Sequence, residues 1–267
     1  MSIAQRNNVQ VIGEGAATVV FAHGFGCDQS MWRLLAPQYA RRFKVVTFDL
    51  VGSGRSDLGA YDRQKYSTLG GYAEDLVEIV QEFGSGPVIL VGHSVSAMIG
   101  LLAGLRAPGA IAAHIMVGPS PCYINDGDYV GGFSRQDIDG LLDMLESNYL
   151  GWASNMAPAI MGAPDRPELG QELAESFCRT DPEIAKQFAR VTFLSDNRSD
   201  LIKLQEPTLI LQSTEDIIAP VAVGDYMHRM LPRSTLELVD NVGHCPHLSA
   251  PSASEQAIDR FVAALNL

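Results

Sequence analysis

Basic residues are scarce in this chain: 19 Lys and Arg stand against 31 Asp and Glu, a formal net charge of −12. Nucleic-acid binding is therefore not expected, because neutralising phosphates with basic side chains supplies most of that affinity. Long apolar runs are missing too. None approaches the roughly 20 residues needed to cross a bilayer, so no membrane association is expected. The opening MSIAQRNNVQVIGEG holds no apolar block of signal-peptide length, and a cytoplasmic location is expected on that ground. Cysteine is sparse: Cys27, Cys122, Cys178 and Cys245 lie far apart with no CxxC, as free thiols of a reducing compartment do. Internal repeats and low-complexity segments are absent. What the chain does hold is 46% hydrophobic residues over 267 positions, enough for one large core or a core carrying an insertion.

Those apolar residues come in short blocks. ATVVFAH (17–23), FKVVTFD (43–49), PVILVG (87–92), AAHIMVG (112–118), PTLILQS (207–213) and STLELVD (234–240) read as strands. Most are almost continuously apolar and rich in Val and Ile, as strands buried on both faces are. Between them lie amphipathic patterns. Leu69, Tyr72, Leu76, Ile79, Val80 and Phe83 recur at helical spacing, as do Ala257, Ile258, Phe261, Val262 and Leu265. Strand–helix alternation predicts an α/β fold, with a mostly parallel central sheet flanked by helices. The stretch from about 121 to 200 breaks the rhythm, with helix-like blocks and no convincing strand. Asp181-Pro182 opens one of them, Asp as N-cap and Pro in the first turn. We expect residues 1–120 and 201–267 to form the core, and 121–200 a helical cap inserted between two sheet strands.

In VILVGHSVSAMIG (88–100) an apolar strand runs through Gly92-His93-Ser94 into a helix start. A strand turning sharply into a helix through G-x-S presents the serine hydroxyl at the carboxyl edge of the sheet. The chain departs from the usual G-x-S-x-G, with Ser96 at the second glycine. A serine hydroxyl needs a base to take its proton and an acid to orient that base. In the α/β hydrolases the order along the chain is Ser, acid, His. Here Asp216 follows the strand PTLILQS and His244 follows STLELVD, both in loops at strand carboxyl ends, where ligand sites form. Asp216 is preferred to its neighbour Glu215 because it directly precedes the IIAP turn. His244 competes with His247 in HCPH. That stretch also has the look of a metal fragment, but no second Cys or His pair follows at a usual spacing, so no metal and no cofactor are expected. His93 adjoins the serine and reads as a packed elbow residue. His23-Gly24-Phe25-Gly26 follows a strand, where the second oxyanion donor belongs, so the backbone N–H groups of Phe25 and Val95 are the expected oxyanion hole. DLVGSGRSD (49–57) lacks the third glycine and following helix of a dinucleotide site and is read as site wall.

HGFGCDQSMW, GHSVSAMIG, DYVGGF, DIIAP and GHCPHLS together resemble the RsbQ-like α/β hydrolases and their plant relatives, the strigolactone and karrikin receptors. Ser96 is part of that likeness, which runs through NYxxW and FARVTFLSDNR and covers essentially the whole chain. It implies an α/β-hydrolase core, a four-helix cap, a Ser94–Asp216–His244 triad and a closed apolar pocket. Phe25, Tyr123, Phe133, Leu141, Trp152 and Phe193 would line that pocket, with Ile217 near its base. Met156 stands where the plant receptors tend to carry phenylalanine. The activity implied is cofactor-independent serine hydrolysis of a small hydrophobic ester, lactone or related acyl compound. The alternative is a signalling regulator of slow or single turnover, whose partner in RsbQ-like systems is a phosphatase upstream of a general-stress sigma factor. A monomer is expected.

Overall fold

The structure, a computed structural model, describes residues 1–265. Seven strands form one sheet: β1 (Gln10–Ile12), β2 (Thr18–Ala22), β3 (Lys44–Phe48), β4 (Val88–His93), β5 (Ala113–Val117), β6 (Thr208–Glu215) and β7 (Ser234–Val242). Their order is β1-β3-β2-β4-β5-β6-β7, parallel except for β1, which runs antiparallel to β3. The six strands read from the sequence all form. β1 escaped that reading because it is three exposed residues at the sheet edge, so burial leaves no pattern on it.

Side chains alternate across the sheet, and both faces of its central strands β2, β4 and β5 are dry. Val19 and Phe21 of β2, Ile89 and Val91 of β4, and Ile115 and Val117 of β5 enter one apolar cluster with Trp32, Tyr39, Ala257 and Ile258. Val20, Ala22, Leu90 and Met116 enter the other, with Leu76 and Ile79 of the helix Leu69–Phe83 and Ile99 of the helix Val95–Arg106. Burial on two faces is why these strands read as unbroken apolar runs.

Between β5 and β6 the chain makes four long helices, Arg135–Ser147, Tyr149–Met161, Pro167–Arg179 and Pro182–Phe193, and a single short turn of helix, Arg198–Leu201. The first two are separated by one residue. Asn148, at φ −153° and ψ 74°, breaks them, and its side chain accepts from Gly151 N to start the second. Asp181 caps the fourth through the N–H groups of Glu183 and Ile184. Leu169, Leu173 and Phe177 form one stripe of the third helix and join the same apolar cluster as Phe21 and Val91. Arg33–Glu172 (2.6 Å) and Arg179–Asp28 (3.0 Å) tie that helix to the sheet side of the molecule. Being exposed, each such pair is worth only ~0–1 kcal/mol; the apolar seam carries most of the docking. Among the described residues no helix is long and apolar enough to cross a membrane.

Candidate active site

β4 hands over to its helix at Ser94, held at φ 55° and ψ −123°. This backbone region costs a non-glycine residue about 1–3 kcal/mol, and here it lifts the hydroxyl clear of both elements. The turn is tight enough that a Cβ on Gly92 would stand 2.6 Å from the Ser96 carbonyl oxygen. Ser94 Oγ lies 2.8 Å from His244 Nε2, and His244 Nδ1 lies 2.7 Å from Asp216 Oδ2. Asp216 Oδ1 accepts from the N–H groups of Ile218 (2.8 Å) and Ala219 (3.2 Å), which fixes the carboxylate plane. Burial opposes the Asp216 charge, but His244 and those two N–H groups outweigh it and hold the carboxyl below its ordinary range. Glu215 is exposed and the ring nitrogens of His247 hydrogen-bond to nothing, so the structure brings together the three residues named above.

His244 is positioned from the helical side as well: its N–H donates to the Ile160 carbonyl (2.8 Å). Gly243, at φ 110°, sits where a Cβ would collide with the Met161 carbonyl. The elbow neighbour His93 places Nε2 2.9 Å from the His244 carbonyl oxygen. Burial, and then His244, lower its pKa to about 3.

The His23–Gly26 loop passes directly beside the serine; a Cβ on Gly24 would approach Ser94 Cβ to 3.3 Å. Among the described residues the backbone N–H groups of Phe25 and Val95 donate to no protein acceptor. Three bonds hold the loop. Leu50 N donates to His23 Nε2 (3.0 Å), which makes Nδ1 the protonated nitrogen, and Nδ1 reaches the Gly24 carbonyl (2.9 Å). Ser96 Oγ donates to the His23 carbonyl at 2.5 Å. The departure from G-x-S-x-G thus has a physical role: where a second glycine would only make room, Ser96 fastens the elbow helix to the loop. Leu50 lies in the DLVGSGRSD segment, which acts here by fixing His23.

A small apolar cavity of about 40 Å³ opens on Ser94. Phe25, Tyr123, Leu141, Trp152 and Phe193 line it, and Phe25 meets the rings of Trp152, Phe177, Phe188 and Phe193 at 5.7–6.1 Å between centroids. Two expected wall residues are elsewhere. Ile217 is 53% exposed, because the turn that gives Asp216 its two backbone donors points Ile217 outward and Ile218, 5% exposed, inward. Phe133 is half-buried against the apolar core ahead of the helix Arg135–Ser147 and does not reach the cavity. Cys27, Met156, Ile160, Leu173, Phe177, Thr192 and Cys245 also line it. For Leu173 and Phe177 the signal was present in the i, i+4 stripe of their helix.

The family model described as "Alpha/beta hydrolase family" matches residues 19–261. The chain belongs to the alpha/beta hydrolase family. This α/β hydrolase is 41% identical over 250 residues to karrikin insensitive 2 receptor CA of Petunia hybrida, covering 93% of each chain. It is 37% identical over 260 residues to strigolactone esterase D14 of Arabidopsis thaliana, covering 97% of each. Among solved structures, a hydrolase from Oleispira antarctica superposes with a TM-score of 0.94 at 43% identity, over 98% of this chain and 96% of that one. The resemblance read from the motifs and these relatives agree.

Proposed function

We propose that this α/β hydrolase is a cofactor-independent serine hydrolase acting on a small, mainly apolar ester or lactone, with residues 121–200 serving as its cap. The observation that carries the reading is the unbroken hydrogen-bonded line from Ser94 Oγ through the His244 ring to Asp216. In this reading His244 Nε2 takes the Ser94 proton as Oγ attacks the acyl carbon, and later returns it to the leaving oxygen. Asp216 holds Nδ1–H and steadies the imidazolium. The oxyanion is received by Phe25 N–H and Val95 N–H, and losing one such donor typically costs ~2.7–4 kcal/mol of barrier. Water then frees the acyl group. The cavity wall is apolar except for a few groups, among them Trp152 Nε1 and Thr192 Oγ1, which have no partner and suit the oxygens of an ester or lactone ring.

A second reading is favoured by relatives named both receptor and esterase, and by the tightness of the cavity. In it, turnover is slow and the acylated or ligand-bound protein signals to a partner such as a phosphatase, as a cytoplasmic monomer. One experiment tests the chemistry and separates the two: intact-mass analysis after a fluorophosphonate probe, and then after a panel of esters and lactones. The wild type should gain one phosphonyl group and Ser94→Ala none, with its melting temperature nearly unchanged. Labelling of Ser94→Ala at the wild-type level would move the nucleophile elsewhere. Rapid ester turnover without a lasting adduct favours the enzyme, a persistent acyl mass the signalling protein.

A further inference from the structure

Behind the Ser94–His244 pair, His93, Cys245 and His247 place three donor atoms within 4.8 Å of one another, all of them buried. The sequence offers HCPH no second ligand pair, but the fold brings His93 to it from the far end of β4. Neither ring nitrogen of His247 has a hydrogen-bond partner, and neither does His93 Nδ1. Nearly all buried polar atoms in folded proteins are partnered, so three bare imidazole nitrogens in one cluster call for an explanation. His247 is fully enclosed; Trp32 and His93, each 4.6 Å away between ring centroids, pack on it without satisfying it.

We propose that His93, Cys245 and His247 form a binding site for a soft monovalent cation, Cu(I). A thiolate is a soft donor that suits Cu(I), and imidazole ligates copper as well. Charge favours the same ion. Cu(I) and a thiolate sum to zero, whereas Zn(II) would leave a net positive charge in an apolar interior and would seek a fourth ligand. On binding, the Cu–S bond forms as the thiol proton leaves to solvent, and nothing is oxidised or reduced. Bonds of about 2.0–2.3 Å to N and S set donors roughly 3.6 Å apart in a planar three-coordinate site, so the side chains close by about 1 Å. Cys245 and His93 line the same cavity as Ser94, which gives the ion its route in. Because His93 also contacts the His244 carbonyl, occupancy should disturb the base and slow hydrolysis. That consequence rests on the proposed function; the binding itself does not.

The test is anaerobic competition for Cu(I) against the chromophoric chelator bathocuproine disulfonate, without substrate, so that its failure is distinct from failure of the hydrolase reading. The wild type should withdraw one Cu(I) per chain. Cys245→Ser and His247→Phe should each weaken uptake by more than roughly a hundredfold, the upper end of the cost of losing a mere outer-shell partner. Cys178→Ser, which removes an exposed thiol, and Cys27→Ser, which removes another cavity thiol, should retain it. Tenfold excess Zn²⁺ should not displace the copper. The proposal is overturned by no uptake in the wild type, as when ordered water satisfies the imidazoles. It is equally overturned by undiminished uptake in Cys245→Ser and His247→Phe, by loss in either thiol control, or by displacement with Zn²⁺. Should Cys245→Ser not fold, Cys245→Ala and His247→Phe carry the same comparison.

Discussion

Ser96→Ala isolates the bond that ties the elbow helix to the His23–Gly26 loop. The hydroxyl is fully buried and donates to the His23 carbonyl at 2.5 Å, two residues before the Phe25 N–H proposed to receive the oxyanion. Net, one such bond is worth about 0.5–1.5 kcal/mol to the folded state. For a chain of this size that predicts a melting temperature lower by roughly 2–5 °C. The kinetic effect has an upper bound, since complete loss of an oxyanion donor costs ~2.7–4 kcal/mol. His23 remains held by Leu50 N–H and its own contact with Gly24, so the loop should slacken without leaving. We expect a fall in kcat of about tenfold at ~1.4 kcal/mol per decade, with KM for a short p-nitrophenyl ester nearly unchanged, because the ground-state carbonyl needs the donor less than the oxyanion does. The assay is steady-state hydrolysis beside a thermal melt. A lowered melting temperature with unaltered kcat would refute the reasoning and leave Ser96 a packing residue. A changed KM at constant kcat would assign the loop to binding instead.

Asp216→Asn should fold normally yet lose orders of magnitude in kcat, since the amide favours the wrong imidazole tautomer; His247→Ala should be far milder than His244→Ala, and the reverse ranking in the same assay would dismiss the assignment. Phe193→Ala should weaken a long-chain ester by roughly tenfold, or ~1.4 kcal/mol, and spare an acetate ester, while Phe133→Ala, outside the cavity, should alter neither; equal losses on both esters would place the acyl chain elsewhere. Burial keeps His114 neutral in the fold, lowering its pKa from 6.5 to about 4. Below pH 6.5 the unfolded chain therefore binds a proton the native chain does not. Its share of stability is complete above pH 6.5 and is lost as pH falls toward about 4, ~2.5 kcal/mol by pH 4.5. Denaturant melts at pH 7 and 4.5 should show a smaller drop for His114→Leu than for the wild type; an equal drop would mean that His114 takes no part in acid unfolding.

Five of the seven strands were legible because burial leaves an apolar run on each, β7 because its apolar residues alternate although only Val239 is buried, and the elbow because a strand, a sharp turn and a helix leave marks on neighbouring residues. Ser94, Asp216 and His244 could be named from order and loop position alone, since each belongs to a local strand-end signal. The side chains around the cavity were not legible in that way. Ile217 and Ile218 are chemically identical neighbours, and only the backbone donors wrapping Asp216 decide that Ile218 turns inward. Phe133 carries an aromatic ring as Phe193 does, and its exclusion depends on where the chain enters the helix Arg135–Ser147. The approach of His93 to Cys245 and His247 is likewise tertiary: His93 ends β4, while Cys245 and His247 follow β7, a strand that β5 and β6 separate from it in the sheet. Periodicity and turn chemistry act over a few residues and are written in the chain, whereas which way a side chain faces across a cavity is set by elements a hundred residues apart, and only their packing determines it.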